Sequence, residues 1–285
     1  MGRCPLPRQI AISRPVRLNI HMAKTQKELA FLRDLYICSD WTSRFTDLID
    51  KHLEIEGAEN ILYLNAGTGS HAFAVRDKVD ERTAVFATCE NEDILNIARD
   101  KALAVKSDID FSMLRFDDDA FDAVLADASF VRPNEMTDFV EDAVRVTRPG
   151  GSCGIMMTSA GSFGEIFSLL WEVLFEEDLG EHGAAAEAMI TELPTLSQIE
   201  QMAADAGLEE IRTFSANEVF EYKNGADFVN SPLVSDFLLP VWLERVGEDD
   251  RERVTSKLAQ LIDKEDGEMS FRFSVKATLL TGEKQ

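Results

Sequence analysis

Ile61-Leu62-Tyr63-Leu64-Asn65-Ala66-Gly67-Thr68-Gly69-Ser70 decides the fold. The run Ile61–Leu64 is short and apolar and follows a break at Gly57, so it reads as a buried strand. Gly67 and Gly69 carry no Cβ, which lets the backbone turn sharply and approach a ligand closely. Asn65 tolerates a positive φ better than other non-glycine residues. The helix predicted next runs from Ser70 to Val79. Strand, tight turn and helix together predict the first crossover of a nucleotide-binding α/β sheet. Ligands in such sheets lie beyond the carboxyl ends of the strands.

Downstream, Thr83–Cys89 reads as a second strand ending on Glu90. An acid about 20 residues past the glycine turn is placed to accept two hydrogen bonds from ribose hydroxyls. Asn91–Val105 reads as a helix, and Asp108–Phe111 as a short third strand. Asp110 could accept from an adenine amino group, with Phe111 against the ring. Ala123–Ala126 is a fourth strand ending on Asp127, which would hold a charged amino group or cap the next segment. A helix over 136–146 closes on Arg148-Pro149-Gly150-Gly151. Ser152–Thr158, Leu208–Phe214 and Phe271–Leu280 complete the strands, the last in plain alternation.

Strands alternating with helices predict a doubly wound sheet. A dinucleotide fingerprint would need glycine where Ser70 stands, which argues against a nicotinamide-dependent oxidoreductase.

Upstream of the turn, apolar spacing predicts a helix from Thr25 to Ile37. Ser39 or Asp40 reads as the N-cap of a second helix through Leu53. These helices, within 23–56, are expected to cover the sheet edge or the cofactor mouth, with Tyr36, Asp40 and Trp41 at their junction. Residues 216–268 break the alternation and predict a helical insertion over the cleft. Residues 1–22, with Arg3, Arg8, Arg14, Arg17 and no acid, are expected to be a disordered arm or sequence upstream of a start at Met22. The single domain would then span 23–285.

The net charge of −23 disfavours nucleic acid as a partner, because an acidic surface repels phosphate. No stretch reaches the 18 apolar residues of a membrane span. Cys4, Cys38, Cys89 and Cys153 are scattered and predict no metal site, as expected of reduced thiols in a cytoplasmic protein.

Taken in order, several stretches resemble the motifs of class I S-adenosylmethionine-dependent methyltransferases. They are Tyr63–Gly69, Glu90, Phe116 with Asp119, Phe121–Val124, Arg145-Val146 and Arg148–Gly151. The nearest branch includes the quinone C-methyltransferases. The resemblance implies a seven-stranded sheet with an antiparallel last strand, and S-adenosylmethionine as cofactor. It implies that Tyr63, Asn65, Ala66, Gly67, Thr68 and Gly69 cradle the methionine part. Glu90 and Asn91 would take the ribose, Asp110 and Phe111 the adenine, and Asp127 and Ala128 the methionine side. The expected reaction is in-line methyl transfer to a small-molecule acceptor. Tyr36, Asp40, Trp41, Phe130, Phe163 and Tyr222 are candidates for the acceptor pocket. Asp40, His71 and His182 are candidates for a base, none with a supporting motif.

Tyr63 replaces the family's usual acid and Asn65 its first glycine. These departures leave a second reading open, a non-catalytic relative that binds a ligand or protein partner.

Overall fold

The computed structural model describes residues 24–266 and 270–285. The expectations for residues 1–22, and for the 267–268 end of the insertion, lie outside them.

The chain opens with α1 (Gln26–Leu32), a π-helical stretch (Arg33–Thr42) and α2 (Ser43–His52). Then β1 (Asn60–Leu64), α3 (Ser70–Lys78), β2 (Ala84–Thr88) and α4 (Glu92–Val105) alternate. They lead to β3 (Asp110–Ser112), β4 (Phe121–Ala128), α5 (Met136–Val146) and β5 (Thr147–Ser159). Helices α6 (Gly164–Glu176), α7 (Gly180–Thr191) and α8 (Leu196–Asp205) precede β6 (Leu208–Tyr222). Between β6 and the last strand lie α9 (Gly225–Asn230), a second π-helical stretch (Leu233–Leu238), α10 (Leu239–Trp242) and α11 (Glu248–Asp266). The chain closes on β7 (Phe271–Lys284).

The seven strands lie in the order β3-β2-β1-β4-β5-β7-β6, and β7 runs antiparallel to both neighbours. This is the predicted seven-stranded, doubly wound sheet. Successive side chains of a strand point to opposite faces, and β1 shows it directly. Ile61 and Tyr63 enter the core shared with α2, α3, α4 and α6, whereas Leu62 and Leu64 enter the core shared with α5 and α8. Every residue of β4 is buried, as a strand between two helical layers requires.

Two expectations need correction. Ser39 and Asp40 do not cap a second helix, because helical backbone runs unbroken from Gln26 to His52. Nothing between Lys24 and Leu53 stops it, neither glycine nor proline. The Ser39 hydroxyl donates to the Tyr36 carbonyl inside the helix. Next, residues 216–222, assigned to the helical insertion, continue β6. They pair with β7 as far as Tyr222 opposite Phe271, and Phe220 stacks on Phe273 at 4.9 Å. Helix α7 is an addition to the expected elements.

Candidate functional site: a cleft at the carboxyl ends of β1, β2 and β4

The turn after β1 adopts the backbone its residues imply. Asn65, Gly67 and Gly69 have φ of 54°, 56° and 84°. Asn65 is held to both neighbouring strands. Its N–H donates to Thr88 Oγ1 (3.1 Å), and its side-chain amide donates to the Asp127 carbonyl (3.4 Å). The Ala66 N–H donates to the Thr88 carbonyl. A Cβ on Gly69 would lie 2.6 Å from the Phe111 ring, so glycine is required there by space as well as by φ.

Tyr63 is fully buried and points behind the turn rather than into the cleft. Its hydroxyl lies 3.0 Å from His71 Nδ1, and His71 Nε2 lies 3.1 Å from Asp50 Oδ1. Burial lowers the His71 pKa and raises that of Tyr63 well above its ordinary value. The arrangement is therefore phenol O–H to neutral imidazole, and imidazole N–H to carboxylate.

Glu90 stands just past β2, and Asp127 near the end of β4. Asp127 is buried, and its carboxylate accepts from the Ser129 N–H at 2.8 Å. Burial, partly offset by the Ser129 hydrogen bonds and the Arg33 charge, pushes its pKa up to about 6. Ala128 is buried behind it. Asn91 spends its side-chain oxygen on the Ile94 N–H as the N-cap of α4. Asp110 is not brought to the cleft. The parallel register sets it opposite Phe86, four residues short of Glu90, or roughly 13 Å along the strand. Exposed Met113 and Leu114 follow the end of β3 instead. Phe111 reaches the underside of the glycine turn with its ring.

The N-terminal helices reach this turn through side-chain contacts that no local pattern announced. Arg33 Nη2 donates to Glu90 Oε1. Thr68, fully buried, donates its hydroxyl to Asp34 Oδ1 (2.6 Å) and lies 3.2 Å from Cys38 Sγ. Lys101 bridges Asp34 and Ser70.

Beside the cleft is an aromatic chamber. Trp41, fully buried, has its ring 5.1 Å from Phe130 and 6.3 Å from Phe163, and its indole N–H donates to Ser129 Oγ at 3.0 Å. Phe237 and Trp242, from the helices between β6 and β7, line the same cavity of about 60 Å³. Arg132 is the charged residue of its lining, which holds no carboxylate or imidazole. Tyr222 packs on Phe228 and Phe273. Tyr36 and Asp40, candidates for this pocket, sit on the exposed side of their helix and are not part of the lining. His71 is committed behind the turn, and His182 lies on α7 beside Glu181. None of the three candidate bases lines the chamber.

Bare peptide at the turn, Glu90 suited to a diol and buried Asp127 suited to an ammonium fit a zwitterionic nucleoside sulfonium. Comparison with known proteins agrees. The sequence model of the ubiE/COQ5 methyltransferase family matches residues 35–218, well over half of the chain. No curated protein matches the sequence. Solved structures share the fold. The YcgJ protein of Bacillus subtilis superposes with a TM-score of 0.55 at 16% identity, over 85% of this chain and 99% of its own. Phosphoethanolamine N-methyltransferase 2 of Haemonchus contortus was solved with phosphomonomethylethanolamine and S-adenosylhomocysteine. It gives 0.52 at 14% identity, over 92% of this chain and 59% of its own.

Proposed function

The chain belongs to the ubiE/COQ5 methyltransferase family, and from that premise we propose in-line methyl transfer to an apolar small molecule seated in the aromatic chamber. The chain is a class I methyltransferase, and S-adenosylmethionine is its cofactor. Bound, the cofactor supplies an electrophilic methyl on sulfur. Asn65 to Gly69 hold its methionine part, Glu90 its ribose hydroxyls, and Asp127 with Ala128 its amino-acid side. The adenine falls beside Met113 and Leu114 rather than at Asp110.

The observation that carries the acceptor reading is the chamber itself. Trp41 is hydrogen-bonded to Ser129, two residues past Asp127, so the apolar walls adjoin the proposed cofactor cleft. Such walls exclude water and orient the acceptor, the contribution a protein makes to a displacement of this kind. Among the described residues, the lining holds no carboxylate or imidazole, which suits an acceptor whose nucleophile needs no base in the chamber. At about 60 Å³ the cavity has room for about two waters. Phe237 and Trp242 stand over the chamber, so the helices between β6 and β7 are placed as a cap on it.

Tyr63 and Asn65 do not favour the non-catalytic reading. Asn65 takes up the turn's φ, and Tyr63 is bonded behind it. The test is calorimetric binding of S-adenosylmethionine, then methyl turnover across apolar acceptors, with Glu90→Ala and Trp41→Ala. The reading expects Glu90→Ala to weaken the cofactor and Trp41→Ala to abolish turnover with cofactor binding retained. Cofactor binding with no turnover on any apolar acceptor would sink the acceptor assignment.

A further inference from the structure

Arg33 is an unusual presence in the proposed cofactor cleft. Its side chain is 13% exposed, and it has one hydrogen-bond partner among the described residues, Glu90. A guanidinium has five N–H donors, so most of its capacity is unspent. It lies flat on the glycine turn, with Nε 3.3 Å from where a Cβ on Gly67 would stand, and its Cζ is 5.5 Å from the Phe130 ring centre. The Asp34 and Cys38 contacts to Thr68 hold this helix on the turn.

The charges around it define a problem. Glu90 and Asp127 suit the diol and the cationic groups of the cofactor, but both repel its α-carboxylate. Lys101 is engaged with Asp34 and Ser70, and the Arg99 guanidinium with the Phe111 carbonyl. Among the described residues, Arg33 is the cation left facing the turn.

Resting on the cofactor assignment above, we propose that Arg33 recognises the cofactor's α-carboxylate, exchanging Glu90 for it as Glu90 turns to the ribose. The Arg33–Glu90 pair keeps both groups satisfied until that exchange. Binding therefore costs the cleft one ion pair and returns two charge-assisted contacts. Arg33 is thus a specificity residue that selects the intact amino-acid end and discriminates against nucleosides lacking it. Arginine rather than lysine suits the task, since its planar fork matches a carboxylate.

The test is a calorimetric cycle using S-adenosylmethionine and decarboxylated S-adenosylmethionine against the full chain, Arg33→Met and Arg33→Lys. Thermal melting confirms that each variant folds. The wild-type chain is expected to prefer the intact cofactor by about tenfold or more, the scale of one charge-assisted hydrogen bond. Arg33→Met should lose that preference or reverse it, by losing affinity for the intact cofactor and not for the decarboxylated one, because Glu90 and Asp127 then face the carboxylate unopposed. Arg33→Lys should keep part of the preference. The proposal is overturned if Arg33→Met keeps the wild-type preference, weakens both ligands alike, or binds the intact cofactor more tightly. The last result would make Arg33 only a competitor for Glu90. A folded wild-type chain that binds neither ligand overturns the cofactor assignment of the cleft, and this proposal with it.

Discussion

At the residue scale, the turn is constrained more tightly than its motif suggests. Gly69→Ala would force a side chain to φ 84° and a Cβ to 2.6 Å from the Phe111 ring. The combined strain and overpacking should cost about 1–3 kcal/mol, read by urea denaturation, and should weaken cofactor binding. Tyr63→Phe separates two explanations of the missing acid. If Tyr63 serves only to hold His71, the change should cost about 1 kcal/mol of stability and leave calorimetric affinity for the cofactor unaltered. A large affinity loss would show that the phenol acts on the cleft.

Asp127 gives a pH signature. Its folded pKa, about 6, lies above the ordinary value of 3.8, so the folded chain binds the proton more tightly than the unfolded chain. Stability from this group is complete below about pH 4 and is lost as pH rises through 6, by roughly 3 kcal/mol. Cofactor affinity runs the other way, because an ammonium needs the ionised carboxylate. Asp127→Asn should be more stable than wild type at pH 7.5, with little gain at pH 4. Its cofactor affinity should be weaker and flat between pH 5 and 7.

At the scale of elements, Asn91 tests the division between framework and site. Its side chain caps α4, next to Glu90. Asn91→Ala should cost about 1 kcal/mol of stability, the usual worth of an N-cap. Its effect on cofactor affinity should be far smaller than that of Glu90→Ala. Titration of the two variants side by side decides whether Asn91 belongs to the ribose site. What was legible in the sequence follows a physical division. The strand–turn–helix, Glu90 after β2 and Asp127 near the end of β4 were legible because each depends on a few neighbouring residues. Arg33 was not, since it meets Glu90 across 57 positions of chain and no local pattern marks such a contact. Asp110 was misplaced because inter-strand register depends on pairing partners, not on the strand's own residues. The length of β6 was hidden for the same reason. Its last residues include acids such as Glu218 and Glu221, and only β7 shows that they pair.

At the scale of the whole molecule, the charge of −23 acts on the two forms of the cofactor differently. At neutral pH S-adenosylmethionine carries an ammonium, a sulfonium and a carboxylate, for a net charge of about +1, whereas demethylated S-adenosylhomocysteine is near neutral. An acidic protein field attracts the first and is nearly indifferent to the second. Glu90 and Asp127 concentrate that bias at the cleft, and Arg33 removes part of it. The field is screened by salt, with a Debye length falling from about 10 Å at 0.1 M to about 3 Å at 1 M. Affinity for S-adenosylmethionine should therefore fall several-fold as sodium chloride rises from about 0.05 to about 0.5 M, while affinity for S-adenosylhomocysteine changes little. Calorimetric titration of both ligands at the two salt concentrations measures this directly. Parallel salt dependence would mean that the discrimination is built from local contacts alone, and that the overall charge serves only to keep molecules apart.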